Sequence, residues 1–151
     1  MSAQTIADTL NAISDDKSLV LFNMVVLNAG KTEVLITNLS LTKKQYYSRM
    51  SNLVKAGLII RINGKYFPTS LGKIVYEAQM LIGKGIESYW KLKAIDSIYL
   101  QPGSPDIPTE EYIRLVSALI ENNEIKDILL KENDKFRSVN TKSEIVISTS
   151  I

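Results

Sequence analysis

Apolar residues recur at helical spacing along most of the chain, with one short stretch of β-rich residues in the middle. This pattern predicts a mainly α-helical protein with one small β-hairpin. The predicted helices cover residues 3–13, 16–28, 32–39, 42–56, 71–95, 109–121 and 124–132, and the hairpin covers residues 58–67. The most informative segment is therefore the junction of the fourth helix in this list with the hairpin.

That helix has complete start and stop signals. Thr42 is a good N-cap, and Gln45 three residues later completes a capping box. Leu41 and Tyr46 flank the cap as a hydrophobic staple, and Gly57 is well suited to end the helix. At 100° per residue, the face predicted to point to the core consists of Tyr46, Met50, Leu53 and Gly57.

The hairpin signal follows at once. Leu58–Ile62 and Lys65–Phe67 are short β-rich runs, and Asn63-Gly64 between them is the strongest two-residue hairpin signal. Pro68 cannot donate to a strand ladder, so the second strand should lie at an edge there. A capped basic helix beside a basic hairpin is the layout of a winged-helix DNA-binding domain, which we assign to residues 1–72.

The helix predicted from Leu71 to about Ile95 has two apolar stripes, whereas a surface helix normally has one. The first stripe consists of Ile74, Ala78, Leu81, Leu92 and Ile95. The second stripe, predicted as a dimer interface, consists of Val75, Ile82, Ile86 and Tyr89. The C-terminal helices could cover it instead. Tyr89 and Trp90 favour aromatic core packing over a ligand pocket.

The C-terminal half is predicted to be a long helix and a short helical region over residues 73–132, followed by a flexible tail over residues 133–151. Residues 101–108 are a linker by composition. Thr109 is the expected N-cap of the next helix, whose inward face is Ile113, Val116, Leu119 and Ile120. Asn122-Asn123 should break the helix. In the last helix, the side chains of Ile125, Ile128 and Leu129 should face inward.

Composition argues against catalysis. The chain has no Cys and no His, which removes thiolate metal sites and the commonest general base. The paired acids Asp15-Asp16 and Glu110-Glu111 stand at helix starts, where capping explains them better than acid–base chemistry. Ala29-Gly30-Lys31-Thr32 lacks the first glycine of a phosphate-binding loop, because Val25 occupies that place. We expect no enzyme activity, no metal and no cofactor.

Neither a signal peptide nor a membrane span is predicted. The longest apolar stretch, Leu19–Leu27, has nine residues and contains Asn23, which is too short to cross a bilayer. The absence of cysteine also fits an oxidant-poor compartment. A cytoplasmic location without membrane association is expected.

The net charge of +2 conceals an uneven distribution. Residues 1–39 carry −2, residues 40–97 carry +7 and residues 98–151 carry −3. The excess positive charge therefore lies on the segment with the capped helix and the hairpin. This is the electrostatic footprint of a phosphate-binding face, although a solvated lysine-rich surface would have the same charge.

The outer face of the capped helix supplies most candidate DNA contacts. Lys43, Lys44 and Lys55 suit phosphates, and Tyr47 could stack on a sugar or bond a phosphate. The residue types that read base edges are Gln45, Ser48, Arg49 and Asn52. Gln45 has a competing role in the capping box, and Arg49 could form an ion pair inside the domain. On the hairpin, the candidates are Arg61, Asn63 and Lys65. The alternative is a solvated hairpin whose charges protect its edge strands from pairing with other chains.

These segments resemble archaeal winged helix-turn-helix transcriptional regulators. The resemblance rests on residues 41–50, 56–59, 63–66 and 69–72, and extends more weakly to residues 89–96 and 125–129. It implies DNA binding, usually as a dimer with a helix beyond the wing at the interface. Pro68 departs from the usual aliphatic residue before the wing threonine, which puts the pairing of the last strand in question.

The predicted function is a sequence-specific, homodimeric transcriptional regulator that binds double-stranded DNA, with the capped helix in the major groove. The main alternative is a winged helix used for protein contacts in a transcription or signalling complex. A third interpretation is a switch that senses a small molecule in a pocket near Tyr89 and Trp90.

Overall fold

A computed structural model describes residues 3–31, 39–100 and 107–131 of this chain. Most of the helix predicted over residues 32–39, the core of the linker and the tail over residues 133–151 lie outside the described residues. The described part is mainly helical and has a two-stranded antiparallel hairpin, which confirms the predicted mixture of elements.

The described elements follow the predicted order, except that the helix predicted from Leu71 to Ile95 is divided in two. The helices are α1 Ile6–Ala12, α2 Asp16–Leu27, α3 Lys43–Lys55, α4 Ser70–Glu87, α5 Tyr89–Tyr99, α6 Thr109–Leu119 and α7 at residues 123–131. The strands are β1 Ile59–Ile62 and β2 Lys65–Pro68. The chain divides into two compact units, Met1–Gln79 and Met80–Ile151. The predicted domain boundaries after residues 72 and 132 remain predictions.

The core of the first unit is built from α2, α3 and the hairpin. Leu21, Phe22 and Val25 of α2 are fully buried. The inward face predicted for α3 is confirmed, because Tyr46, Met50 and Leu53 are buried in the same cluster as these three residues. Leu41, Ala56, Leu58, Ile59 and Tyr66 complete the cluster.

The hairpin turn has the backbone that its sequence requires. Asn63 and Gly64 have φ values of 51° and 77°, which is the left-handed pair of a type I′ turn. Ile62 pairs with Lys65 and Ile59 pairs with Pro68, so the proline lies inside the paired region. The Gly30 backbone N–H donates to the Tyr66 carbonyl at 2.9 Å, which gives β2 a contact on its outer edge.

A close contact joins the hairpin to α4. The Thr69 hydroxyl donates to the Gly57 carbonyl at 2.5 Å, and its oxygen accepts the Gly72 N–H at 2.9 Å as the N-cap of α4. Gly72 is buried, and a Cβ at this position would stand 2.0 Å from the Leu58 carbonyl oxygen. Only glycine allows α4 to start this close to β1.

The helix predicted from Leu71 to Ile95 is two helices, and that prediction was wrong. Ser88, with φ −89° and ψ 8°, separates α4 from α5. Gly83, Gly85 and Ser88 are poor helix formers within two turns, and Gly/Ser pairs are a common cause of kinks. The apolar spacing passes through this point unchanged, so periodicity alone did not reveal it.

The core of the second unit uses α5, α6 and α7. Ile95, Tyr112, Val116, Ile120 and Ile125 are buried together, with Leu81 and Leu92 packed against them. Lys84 and Lys91 form ion pairs with Glu124 and Glu121, at 3.6 and 3.7 Å. Inside this unit, Tyr99 and Tyr112 have ring centroids 4.7 Å apart.

Three details of the C-terminal prediction were wrong. Pro108 is the N-cap residue of α6 and Thr109 is its first helical residue, without a side-chain cap bond. Ile113 and Ile128 are 41% and 48% exposed; for Ile113 the reason is that α6 buries Tyr112 and Val116 instead. Asn122 is confirmed as a break, and its Oδ1 accepts the Ile125 N–H at 3.0 Å as the cap of α7.

We predict that Gly72→Ala lowers the free energy of unfolding by at least about 2 kcal/mol, because the new methyl group would overlap the Leu58 carbonyl. Gly83→Ala is the matched control, since a Cβ there meets nothing within 4 Å and alanine favours a helix by about 0.5–1 kcal/mol. Urea unfolding followed by circular dichroism should move in opposite directions for the two variants. Equal midpoints would contradict the proposed close contact.

Candidate nucleic-acid interface

The start of α3 is fixed by local hydrogen bonds. The Gln45 backbone N–H donates to the Thr42 hydroxyl at 3.2 Å, and the Thr42 N–H donates to the Gln45 side-chain oxygen at 3.1 Å. This is the predicted capping box. At the other end, Gly57 has φ 71°, so the helix ends where predicted. Both ends hold α3 in place against the core.

With its inner face buried, α3 exposes the residues predicted as contacts. Lys43, Lys44, Gln45, Tyr47, Ser48, Asn52 and Lys55 are exposed. The Tyr47 ring lies edge-on to the buried Tyr46 ring, with centroids 5.2 Å apart. The exposed face is therefore polar and basic, and one aromatic ring stands at its margin.

Five of the predicted residues come together. Lys44, Gln45, Ser48, Arg49 and Asn52 line one shallow, open depression on the surface of α3. Gln45 contributes its side chain to the capping box, which supports the competing role considered for it. Lys43 and Tyr47 are exposed but do not line this depression.

Arg49 is tied to the start of α2. Its Nη1 donates to the Asp15 carboxylate at 2.5 Å and to the Ser18 hydroxyl at 2.9 Å. Asp15 is also the N-cap of α2, because it accepts the Ser18 backbone N–H at 3.1 Å. The structure therefore shows the ion pair that the sequence left open for Arg49, and the role of this side chain in DNA contact remains a prediction.

The Asp15 carboxyl is held in its charged form. Partial burial acts to raise its pKa, but hydrogen bonds from Ser18 and the charge of Arg49 outweigh it, so the pKa lies below the ordinary 3.8. Ser18 is only 4% exposed, and its hydroxyl is used within the network. The network couples the first turn of α2 to the middle of α3.

The candidates on the hairpin form a separate group. Arg61, Asn63 and Lys65 are exposed around the turn. The Arg61 guanidinium carbon lies 5.7 Å from the centre of the Tyr66 ring, opposite it in the strand pair. Among the described residues, no hydrogen bond or ion pair is recorded between this group and the exposed face of α3.

A wider open cleft that the sequence did not predict adjoins the depression. Its lining comes from the N-terminal segment, α1, α2 and α3, namely Gln4, Asp8, Asn11, Ala12, Asp15, Ser18, Arg49, Asn52, Lys55 and Ala56. The Gln4 side chain donates to the Ala56 carbonyl. No sequence signal placed Asp15 beside α3, because its contact with Arg49 spans 34 positions.

The predicted dimer-interface residues do not share one environment. Val75 is partly buried and packs against the core of the first unit, and its assignment to the interface remains a prediction. Ile82, Ile86 and Tyr89 are exposed, at 58%, 69% and 53%. Ile74, predicted for the packing stripe, is exposed as well.

Tyr89 and Trp90 do not pack in a core, contrary to prediction. Trp90 is 74% exposed, its ring lies edge-on to Tyr89 with centroids 5.2 Å apart, and Lys93 Nζ lies 5.3 Å from the Trp90 ring centre. Among the described residues, no cluster of three or more acidic side chains could hold a metal ion. In the same residues, every helix is too short or too polar to cross a membrane.

Comparison of the chain with known protein families, with curated proteins and with solved structures finds no match. The chemistry of the described residues is therefore the basis for assigning a function.

We predict that acid destabilises the protein partly through Asp15. A carboxyl with a lowered folded-state pKa stabilises the fold above its unfolded value of 3.8, and this contribution is lost as the pH falls through the folded pKa. Asp15→Asn keeps an N-cap acceptor but should flatten the fall in unfolding free energy between about pH 5 and 3. Because the pair is half exposed, the effect should stay below about 1 kcal/mol.

Urea unfolding at several pH values measures this dependence. Arg49→Gln removes the other partner and should flatten the same acid limb to a smaller extent, because Ser18 still donates to Asp15. An acid limb that is identical in wild type and Asp15→Asn would contradict the stabilising role of the pair.

Proposed function

We propose that this protein is a homodimeric, sequence-specific DNA-binding regulator of transcription with a winged-helix domain. In this proposal α3 is the recognition helix, the β1–β2 hairpin is the wing, and α4 with α5 supplies the dimer interface. Its activity is binding without catalysis. The resemblance to archaeal winged helix-turn-helix regulators points to the same function.

The observation that carries the proposal is the division of α3 into two faces. Tyr46, Met50 and Leu53 are buried, whereas the opposite face carries exposed lysines, polar side chains and a tyrosine. The major groove is about 12 Å wide and admits one α-helix. A rigid helix with a basic, hydrogen-bonding outer face is suited to this groove.

Different side chains of α3 contact the phosphates and the bases. Lys43, Lys44 and Lys55 contact phosphates and supply affinity that is independent of sequence. Ser48, Asn52 and Arg49 read base edges from the depression that they share. Gln45 builds the helix start and leaves its amide group near the same depression.

The hairpin supports the proposal through its exposed turn. Arg61, Asn63 and Lys65 surround a two-residue turn at the tip, and a Cβ on Gly64 would meet nothing within 4 Å. A narrow, basic, unobstructed tip can follow the phosphate backbone or enter the minor groove. The hydrogen bond from the Gly30 N–H to the Tyr66 carbonyl connects the outer edge of β2 to the turn after α2 and so supports the proposed wing.

The exposed apolar residues of α4 and α5 support self-association. Ile82 and Ile86 lie four positions apart, on one face of α4, and Tyr89 begins α5; all three are exposed, as is Ile74. Contiguous apolar patches on soluble proteins mark interaction sites. A second copy of this chain would cover the same residues on both partners, as a twofold interface does.

We predict that Lys44→Ala weakens binding to every duplex and lowers the slope of log K against log salt by about one. Fluorescence anisotropy with a random duplex at two or more salt concentrations measures both. Lys126→Ala is the matched control, because it removes the same charge from α7 in the other unit. A wild-type protein without salt-dependent duplex affinity would contradict DNA binding and would favour the protein-contact alternative.

We predict that Ile86→Glu converts the dimer into a monomer, because it places a charge in an apolar interface. Analytical ultracentrifugation should give twice 16.9 kDa for the wild type and 16.9 kDa for the variant. Leu27→Glu, at an exposed position at the end of α2, should remain dimeric. A monomeric wild type at micromolar concentration would contradict the assembly but not DNA binding.

A further inference from the structure

Arg49 is held from one side only. Its Nη1 donates to both Asp15 and Ser18, which uses both N–H groups of that nitrogen. Among the residues that the structure describes, no hydrogen bond is recorded from Nε or Nη2. The guanidinium therefore keeps one free edge, on which the Nε–H and one Nη2–H point in parallel.

The held guanidinium borders the exposed face of α3. Arg49 lines the depression together with Ser48 and Asn52, and it also lines the cleft that contains Asp15 and Ser18. The guanidinium is therefore anchored on the cleft side by α2, and 29% of the Arg49 side-chain surface remains exposed to solvent. An arginine fixed in this way needs little further ordering when it binds a ligand.

Building on the proposed DNA binding, we propose that Asp15 and Ser18 position Arg49 to read one guanine in the major groove. Guanine presents O6 and N7 as two neighbouring acceptors there, and an arginine fork binds both at once. Arg49 is then the specificity-determining residue, and Asp15 and Ser18 are positioning residues that act through it.

Charge favours a base over a phosphate as the ligand of Arg49. Asp15 lies 2.5 Å from Nη1 and opposes its positive charge, and Asp8 lines the same cleft. Binding to a phosphate depends on net charge, whereas binding to the neutral O6 and N7 atoms depends on a fixed pair of donors. The exposed lysines of α3 are the better phosphate ligands.

The test begins with selection of a preferred site from a random duplex pool by the wild-type protein. One guanine in this site should lower the affinity about tenfold or more when it is replaced by adenine, or by 7-deazaguanine, which lacks the N7 acceptor. In Arg49→Lys, which keeps the charge but lacks the fork, the preference for this guanine should disappear. Affinity for random duplex and its salt slope should change much less than the guanine preference, because lysine keeps the positive charge.

Asp15→Asn gives the sharper result, because only one of the two measurements, the guanine preference, should fall. Removing an acidic charge near α3 should leave random-duplex affinity unchanged or raise it, whereas the guanine preference should fall. Asp16→Asn is the matched control, since it removes the same charge from the adjacent exposed position in α2. It should keep the full guanine preference. Thermal unfolding by circular dichroism checks that each variant is folded.

The other outcomes separate this inference from the proposed function. Wild-type protein that binds no duplex overturns both. Wild-type protein that binds DNA without base preference, or variants at Arg49 and Asp15 that keep the full preference, overturn the guanine contact alone. A reduced salt slope in Arg49→Gln with unchanged base preference makes Arg49 a phosphate ligand and also overturns it.

Discussion

The burial of one side of α3 is the constraint on which the rest of the first unit depends. Met50 and Leu53 have no exposed surface, and Tyr46 is 4% exposed. Burial of such side chains stabilises a fold by about 1.5–3 kcal/mol each, so α3 cannot rotate about its axis without losing the core. The outward residues of α3 are fixed as a result, including the lysines and Asn52. The chemistry of this surface follows from packing on the other side.

Features with a local cause could be predicted from the sequence. Thr42 and Gln45 form the capping box, Gly57 ends α3, and Asn63-Gly64 makes the turn. Each depends on residues only a few positions apart. The inward face of α3 was also predictable, because its apolar residues are few and regularly spaced.

Features that depend on distant residues or on competing patterns could not be predicted. The α4 region has enough apolar residues for two faces, so spacing alone could not decide that Val75 packs inward and Ile74 does not. The break at Ser88 leaves the apolar spacing intact. The contact between Asp15 and Arg49 crosses 34 positions, and only the fold brings these residues together.

The double use of Asp15 has a thermal consequence. Its carboxylate both caps the first turn of α2 and holds Arg49, so fraying of this turn releases the arginine. Terminal turns open at lower free energies than the core beneath them, whereas the lysines of α3 depend only on that core. In the proposed role, a rise in temperature therefore lowers the preference for one DNA sequence over another before it lowers the affinity for duplex DNA in general.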